Sequence, residues 1–258
     1  GQADKVLMVI GEDWDWSGEA ASRTDIGVPG VQSELLKLIA STGKPVAVVL
    51  LNGRPLVLEE ENRDADAILE AWYPGTMGAE AVADIIFGQY NPSGKLTMTF
   101  PRNVGQIPIF YYEKNTGRPI YLPSDKYKSK YLDSPNDPLY PFGYGLSYTQ
   151  FRYSDLTLSS SKMKKGGTLE ARVTVTNTGK RAGEETVQLY IRDMIGSVTR
   201  PVKLLKGFSK VALAPGESAK VTFVIDDGML SFWRHDMTFG SEEGDFKVMV
   251  GGSSSDLL

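Results

Sequence analysis

The stretch "WDWSGEAASRTDIGVP", Trp14 to Pro29, follows a strand-like run and sets carboxylates, an arginine and two indoles side by side. Glu12 and Asp13 stand just before it, and Glu19 and Asp25 lie within it. Carboxyl groups can act as general acids or bases when burial or a neighbour tunes them. On spacing alone Glu12, Asp13 and Glu19 are all candidates, and each is equally readable as a solvated acid. The rest of the chain offers little other chemistry. There are no cysteines, which excludes disulfides, thiolate nucleophiles and cysteine zinc sites. The single histidine, His235, has no Gly-x-Ser-x-Gly elbow to serve and is read as a structural or surface residue. "ASTGKPV" lacks the upstream glycine of a phosphate loop, and "GYGLSY" lacks the third glycine and the strand–helix setting of a dinucleotide site. No cluster has zinc or calcium ligand spacing, so no metal site is expected, and the reading reached below implies no organic cofactor.

The elements that must carry these residues come in two kinds. From Lys5 to about Phe100, short apolar runs alternate with helical patterns. "KVLMVIG", "KPVAVVLLNG" and "ADAILEAWYPG" read as buried parallel strands. "PGVQSELLKLIASTG" reads as a helix that turns Val31, Leu35, Leu38 and Ile39 inward and stops at Gly43. "MGAEAVADIIFG" reads as a second helix with Val82, Ile85 and Ile86 inward, and "KLTMTF" as a last, edge strand. This alternation implies a mostly parallel sheet covered on both faces, with ligands gathering beyond the carboxyl ends of the strands. Trp14 to Asp25 occupies such an end. Asn52, Gly53 and Arg54 follow the second strand and either border that cleft or form a simple turn. From Tyr153 onward only strand patterns remain, separated by turn chemistry such as "NTGKRAGE" and "APGES". The expected fold is therefore α/β followed by all-β: an α/β sandwich domain over residues 1–110, a Pro/Tyr/Gly-rich linker over 111–152, and an immunoglobulin- or fibronectin-like β-sandwich over 153–258. The chain opens almost inside its first strand, as a fragment or processed product would.

The bulk numbers bound the function. With 258 residues, 41% hydrophobic and 23% charged, a sizeable core is within reach. A net charge of -4 argues against nucleic acid as a partner and supplies no polybasic membrane patch. No apolar run approaches the ~20 residues of a membrane span.

Several segments carry a resemblance. "VIGE", "SGEAASRTDIGVPGVQ", "TGKPVAVVLLNGRPL", "ADAILEAWYPGTMGAEAVADIIFGQYNPSGKLTMTFP" and "LYPFGYGLSYTQF" resemble glycoside hydrolase family 3, in its periplasmic β-glucosidase type. "VTVTNTGKRAGEETVQLYIRD" and "RPVKLLKGFSKVALAPGES" resemble the fibronectin type III-like domain found at the C-terminus of those enzymes. The resemblance implies a (β/α)8 barrel domain that is missing from this chain, an aspartate nucleophile on that barrel, and a glutamate acid/base on the sandwich. Glu19 matches that glutamate. Trp14 and Trp16 offer faces for a sugar to stack on, or else pack the loop. Arg23 and Asp25 match the family's Ser-Arg-Thr-Asp segment; their expected role is structural, an ion pair bracing the loop with Asp25 near the helix start. Gly18 is expected to permit a close backbone approach. "YPFGYGLSY" is read as packing the linker. The implied partners are β-linked glucosides or oligosaccharides acting through a parent enzyme, with self-association expected where the barrel would sit. The implied location is periplasmic or secreted. The implied parent is a retaining exo-β-glucosidase; the alternatives are a β-xylosidase parent and, from another class, a non-catalytic carbohydrate-binding or scaffolding module.

Overall fold

A computed structural model describes residues 3–119 and 126–258. Residues 1–2 and 120–125, which belong to the expected first domain and linker, lie outside the described residues. The chain forms two compact units, one of residues 1–90, 98–109 and 136–140, the other of residues 91–97, 110–135 and 141–258.

The first unit is built on three parallel strands, β1 (Val6–Gly11), β2 (Val46–Leu51) and β3 (Ala67–Glu70), in the order β1-β2-β3. Helices α1 (Gln32–Ala40) and α2 (Glu59–Asp64) fill the two crossovers, and α3 (Gly78–Ile86) follows β3. The α1–α2 link is made by Ser33, whose hydroxyl donates to the buried Glu61 carboxylate at 2.5 Å. Helix α2 was not legible as an element. It is only six residues long, and its three glutamates in the first turn suit the positive end of a helix.

Two expectations are corrected here. Val31, Leu35 and Leu38 face solvent, at 68%, 48% and 66% exposure, whereas Leu36 is buried at 1%. The inward face of α1 begins with polar residues, Gln32 and Ser33, that are used for specific bonds; the apolar stripe that dominates the periodicity therefore lies outside. The sheet is likewise not covered on both faces along β1. Met8 and Ile10 are buried, while the alternate residues Leu7 and Val9 are exposed. A third expectation fails too. "KLTMTF" is not a strand: Leu96 N–H bonds to Tyr144 O at 2.8 Å, and Phe100 forms an isolated bridge with Tyr140. Single pairings with the 139–144 segment replace a ladder. On α3, Val82, Ile85 and Ile86 are half-buried.

The second unit is an antiparallel sandwich. β4 (Phe151–Leu158), β5 (Thr168–Asn177) and β8 (Ser218–Asp226) form one sheet, ordered β4-β5-β8. β6 (Gly183–Asp193), β7 (Leu204–Leu213) and β11 (Phe246–Gly251) form the other, ordered β11-β6-β7. Alternate inward residues such as Val173, Val175, Leu189, Phe223 and Val250 make one shared core, as in sandwiches generally. A two-strand hairpin pairs β9 (Phe232–Trp233) with β10 (Phe239–Gly240), and His235 is exposed within it. Tyr111 stacks on Phe142 with ring centroids 4.3 Å apart and meets Tyr190 edge-on.

The corrected face of α1 gives a direct check. Leu36→Ala should cost about 2–5 kcal/mol through lost burial and a cavity, while Leu38→Ala should stay within about 0.5 kcal/mol. Urea unfolding of the two variants reads the difference.

Candidate active site

The loops after all three parallel strands meet around residues 12–25. Glu12 is the first residue past β1. Its backbone N–H bonds to Leu51 O at 2.8 Å, and its side chain has no exposure. Two guanidinium groups surround that carboxylate. Arg23 Nη1 donates to Oε1 at 2.6 Å, and Arg54 Nε lies 3.0 Å from Oε1 and 3.2 Å from Oε2. Glu12 is thus neither solvated nor free to donate a proton to a ligand. It is the counter-ion of two arginines, and a buried charge is tolerated when it is paired and hydrogen-bonded in this way.

The two arginines then hold the loop by its carbonyls. Arg54 Nη2 donates to Trp16 O and, at 3.0 Å, to Ala21 O. Arg23 Nη2 reaches Gly27 O at 3.3 Å. The loop between these anchors starts with a single 3-10 turn, Trp14–Trp16, whose first N–H is capped by Asp13 Oδ1 at 2.7 Å. Tyr73, from the loop after β3, donates its hydroxyl to Asp13 O at 2.9 Å. Gln32 closes the base of the loop: its side chain accepts from Gly11 N and donates to Gly11 O and Pro29 O. Apart from Arg23, which belongs to the loop itself, the anchors follow strand ends or start a helix, so rigid elements set the loop's shape.

Close backbone approach occurs at Gly53, not Gly18. A Cβ on Gly53 would sit 2.0 Å from Ser17 Oγ. A Cβ on Gly18 would meet nothing, and glycine is wanted there for its φ of 125°.

These anchors bring Asp15, Trp16, Glu19, Ala20, Ala21, Ser22 and Arg23 around an open pocket of about 360 Å³, within the usual size range of small-molecule sites, roughly 300–1,000 Å³. Glu19 is exposed on its wall, and among the described residues its side chain has no hydrogen bond or ion pair. The three acids that sequence left open thus sit in different settings. Glu12 is locked, Asp13 caps a turn, and Glu19 is available. Trp16 also lines the pocket, with the Arg23 guanidinium 5.2 Å above its ring. Trp14 is exposed and stands outside the lining.

Arg23 braces the loop, but its partner is Glu12 and not Asp25. Asp25 lies well before α1; its Oδ1 accepts from Gly27 N at 2.9 Å and folds a local turn. The residue that sequence undervalued is Arg54. Its position directly after a buried strand was the available signal, and "Asn-Gly-Arg" reads equally well as a plain turn. Asp15 on the pocket wall was also not singled out. Among the described residues no group of acids and His could hold a metal ion, and no described helix is long and apolar enough to cross a membrane.

Removing the counter-ion should be costly. Glu12→Gln leaves two largely covered guanidinium groups without their charge partner and should destabilise the protein by about 3 kcal/mol. Asp15→Asn, at an exposed position, should stay within about 0.5 kcal/mol. Chemical denaturation of both variants checks the contrast.

The comparisons with known proteins point to one family. Residues 1–148 match the Glycosyl hydrolase family 3 C-terminal domain, and residues 185–254 match the Fibronectin type III-like domain. The "Periplasmic beta-glucosidase" of Salmonella typhimurium is 53% identical over 98% of this chain and 33% of its own length. A "Beta-xylosidase" of Formosa agariphila is 45% identical, over 98% of this chain and 34% of its own. The crystal structure of a beta-glucosidase from Listeria innocua in complex with glucose superposes with a TM-score of 0.93 at 44% identity, covering 98% of this chain and 35% of that one. The chain therefore spans about a third of the length of the relatives it matches. The α/β unit with its strand-end loop, the β-sandwich behind it in sequence, and these identities place the chain in glycosyl hydrolase family 3, as the family's C-terminal domain with a fibronectin type III-like domain.

Proposed function

We propose that this chain supplies the general acid/base of a retaining exo-β-glucosidase, with Glu19 as that residue. The observation that carries the reading is the contrast among neighbouring acids: Glu12 is neutralised by two arginines, whereas Glu19, on the wall of an open pocket, has no side-chain partner among the described residues. A retaining mechanism needs a second carboxylate about 5–5.5 Å away as nucleophile. In this reading that group is an aspartate on another domain of the parent enzyme. Glu19 protonates the leaving oxygen as the glycosyl-enzyme forms. It then takes a proton from the water that breaks the intermediate. Trp16 gives the sugar an apolar wall and Trp14 a more remote one. Arg23 and Asp25 keep the loop in shape. The parent acts outside the cytoplasm, in the periplasm or secreted, a reading supported by the identity to a protein named as periplasmic.

A second reading, in which the parent is a β-xylosidase, is favoured by the 45% identity to a protein of that name. Comparing kcat/KM for nitrophenyl β-glucoside and nitrophenyl β-xyloside decides between the two.

The acid/base role is tested in the full-length enzyme. Glu19→Ala should slow substrates with poor leaving groups by about 10²–10⁴-fold. Activated aryl glycosides should suffer much less in the first step, since they depart without protonation. Azide should restore turnover where the second step limits, because a small anion needs no base. Equal losses on all substrates and no azide effect would sink the assignment.

A further inference from the structure

The pocket that Glu19 lines holds a second carboxylate to which the acid/base mechanism gives no task. Asp15 lines the same pocket, next to Trp16. It is the middle residue of the 3-10 turn, and both of its neighbours are tied down. Trp14 N–H is capped by Asp13 Oδ1 at 2.7 Å, Trp16 N–H bonds to Asp13 O at 3.1 Å, and Trp16 O accepts from Arg54 Nη2. The Asp15 side chain, by contrast, is exposed and makes no hydrogen bond or ion pair among the described residues. Most exposed acids are merely hydrated. Asp15 differs in being held by a braced turn on the wall of a cavity, beside an aromatic ring and an unengaged acid.

The cations nearby are already spent. Arg23 lines the pocket too, but its guanidinium is bonded to Glu12 and to Gly27 O, and it lies over one face of the Trp16 ring. Arg54 is bonded to Glu12 and to the carbonyls of Trp16 and Ala21. Once Glu19 carries the proton it is to donate, the pocket therefore presents an indole face and the charge of Asp15. That pair selects by chemistry. A sugar ring has apolar C–H faces and a girdle of hydroxyl donors. A carboxylate is an acceptor only, with room for about four donors, and its bonds are roughly twice as strong as those between neutral groups. A nitrophenyl group offers no such donors, and an anionic group is repelled.

The place of the pocket in the reaction follows from the retaining geometry. The two carboxyl groups flank the scissile bond, with the nucleophile behind the anomeric carbon and the acid on the leaving group's side. With Glu19 as the acid and the nucleophile on another domain, the pocket around Glu19 receives the leaving group. We propose that Asp15 is a specificity-determining residue: it accepts hydrogen bonds from the hydroxyls of a neutral sugar leaving group that packs on Trp16. The preferred substrates are then saccharides whose departing ring is uncharged, ahead of aryl glycosides and of glycosides with an anionic leaving group. The place in the reaction rests on the Glu19 reading, whereas the affinity of the pocket for the departing sugar does not.

The test uses the full-length enzyme with Asp15→Asn, which keeps the shape and removes the charge, and with Asp15→Ala. The kcat/KM is measured for cellobiose, for nitrophenyl β-glucoside and for a β-glucoside of glucuronic acid (the matching xylosides should the xyloside prove the better substrate). The ratio of cellobiose to nitrophenyl glucoside should fall about tenfold in both variants, or about 1.4 kcal/mol. The penalty against the glucuronic acid glycoside relative to cellobiose should shrink in both. These are ratios within one variant, so a merely structural role for Asp15 would not move them. Calorimetry with thiocellobiose, the uncleaved S-linked analogue, supplies a readout independent of turnover: both variants should weaken it about tenfold more than glucose. Unchanged ratios together with unchanged thiocellobiose affinity overturn the proposal. If Asp15→Asn instead spares only activated aryl glucosides and is rescued by azide, Asp15 is itself the acid/base, and this proposal and the Glu19 reading both fall. If Glu19→Ala shows no leaving-group dependence while the Asp15 variants still lose thiocellobiose affinity, the Glu19 reading alone fails.

Discussion

One buried carboxylate organises the carboxyl edge of the parallel sheet. Glu12 sits where β1 ends, with its side chain closed off from water and two guanidinium groups around it. A lone carboxylate in that place would be strongly disfavoured, and so would either arginine without it. The mutual need fixes all three side chains. Because Arg23 and Arg54 have donors to spare, they also bind the carbonyls of Trp16, Ala21 and Gly27. Backbone groups that a polar surface loop would otherwise give to water are thereby satisfied inside the network. The result is a loop with few apolar contacts that still has a defined shape.

That arrangement explains the unusual composition of residues 14–29. The loop cannot be held by a hydrophobic core, so it is held by charge and hydrogen bonds, and its polar residues divide into those that build and those that are displayed. Glu12, Asp13, Arg23 and Asp25 build. Glu19 and Asp15 are displayed, together with one face of Trp16. The glycines follow the same division: Gly53 lets the second strand's loop touch Ser17, and Gly18 turns the backbone so that Glu19 reaches the pocket wall.

Much of this was legible in the sequence. The three parallel strands, the two longer helices and the main sandwich strands all follow from apolar runs and turn residues, and the position of the loop follows from the strand before it. What failed did so for physical reasons. Periodicity ranks helix faces by apolar content, and α1 uses Gln32 and Ser33 inward for specific bonds, which hid Leu36 as the buried residue. "KLTMTF" has the composition of a strand, but it meets the 139–144 segment only at isolated points. Spacing alone could not rank the acids, because a glutamate does not reveal its counter-ion; only the family resemblance singled out Glu19. Arg54 lies 42 positions from Glu12, and nothing local links them.

The ion cluster on Glu12, and not local turn propensity, holds the loop that displays Glu19. Hydrogen–deuterium exchange of wild type against Arg54→Ala tests it most directly. Amides between Trp16 and Arg23 should exchange at least about tenfold faster in the variant, while those of β2 and of the sandwich strands keep their protection. Unchanged exchange across Trp16–Arg23 in Arg54→Ala would contradict it.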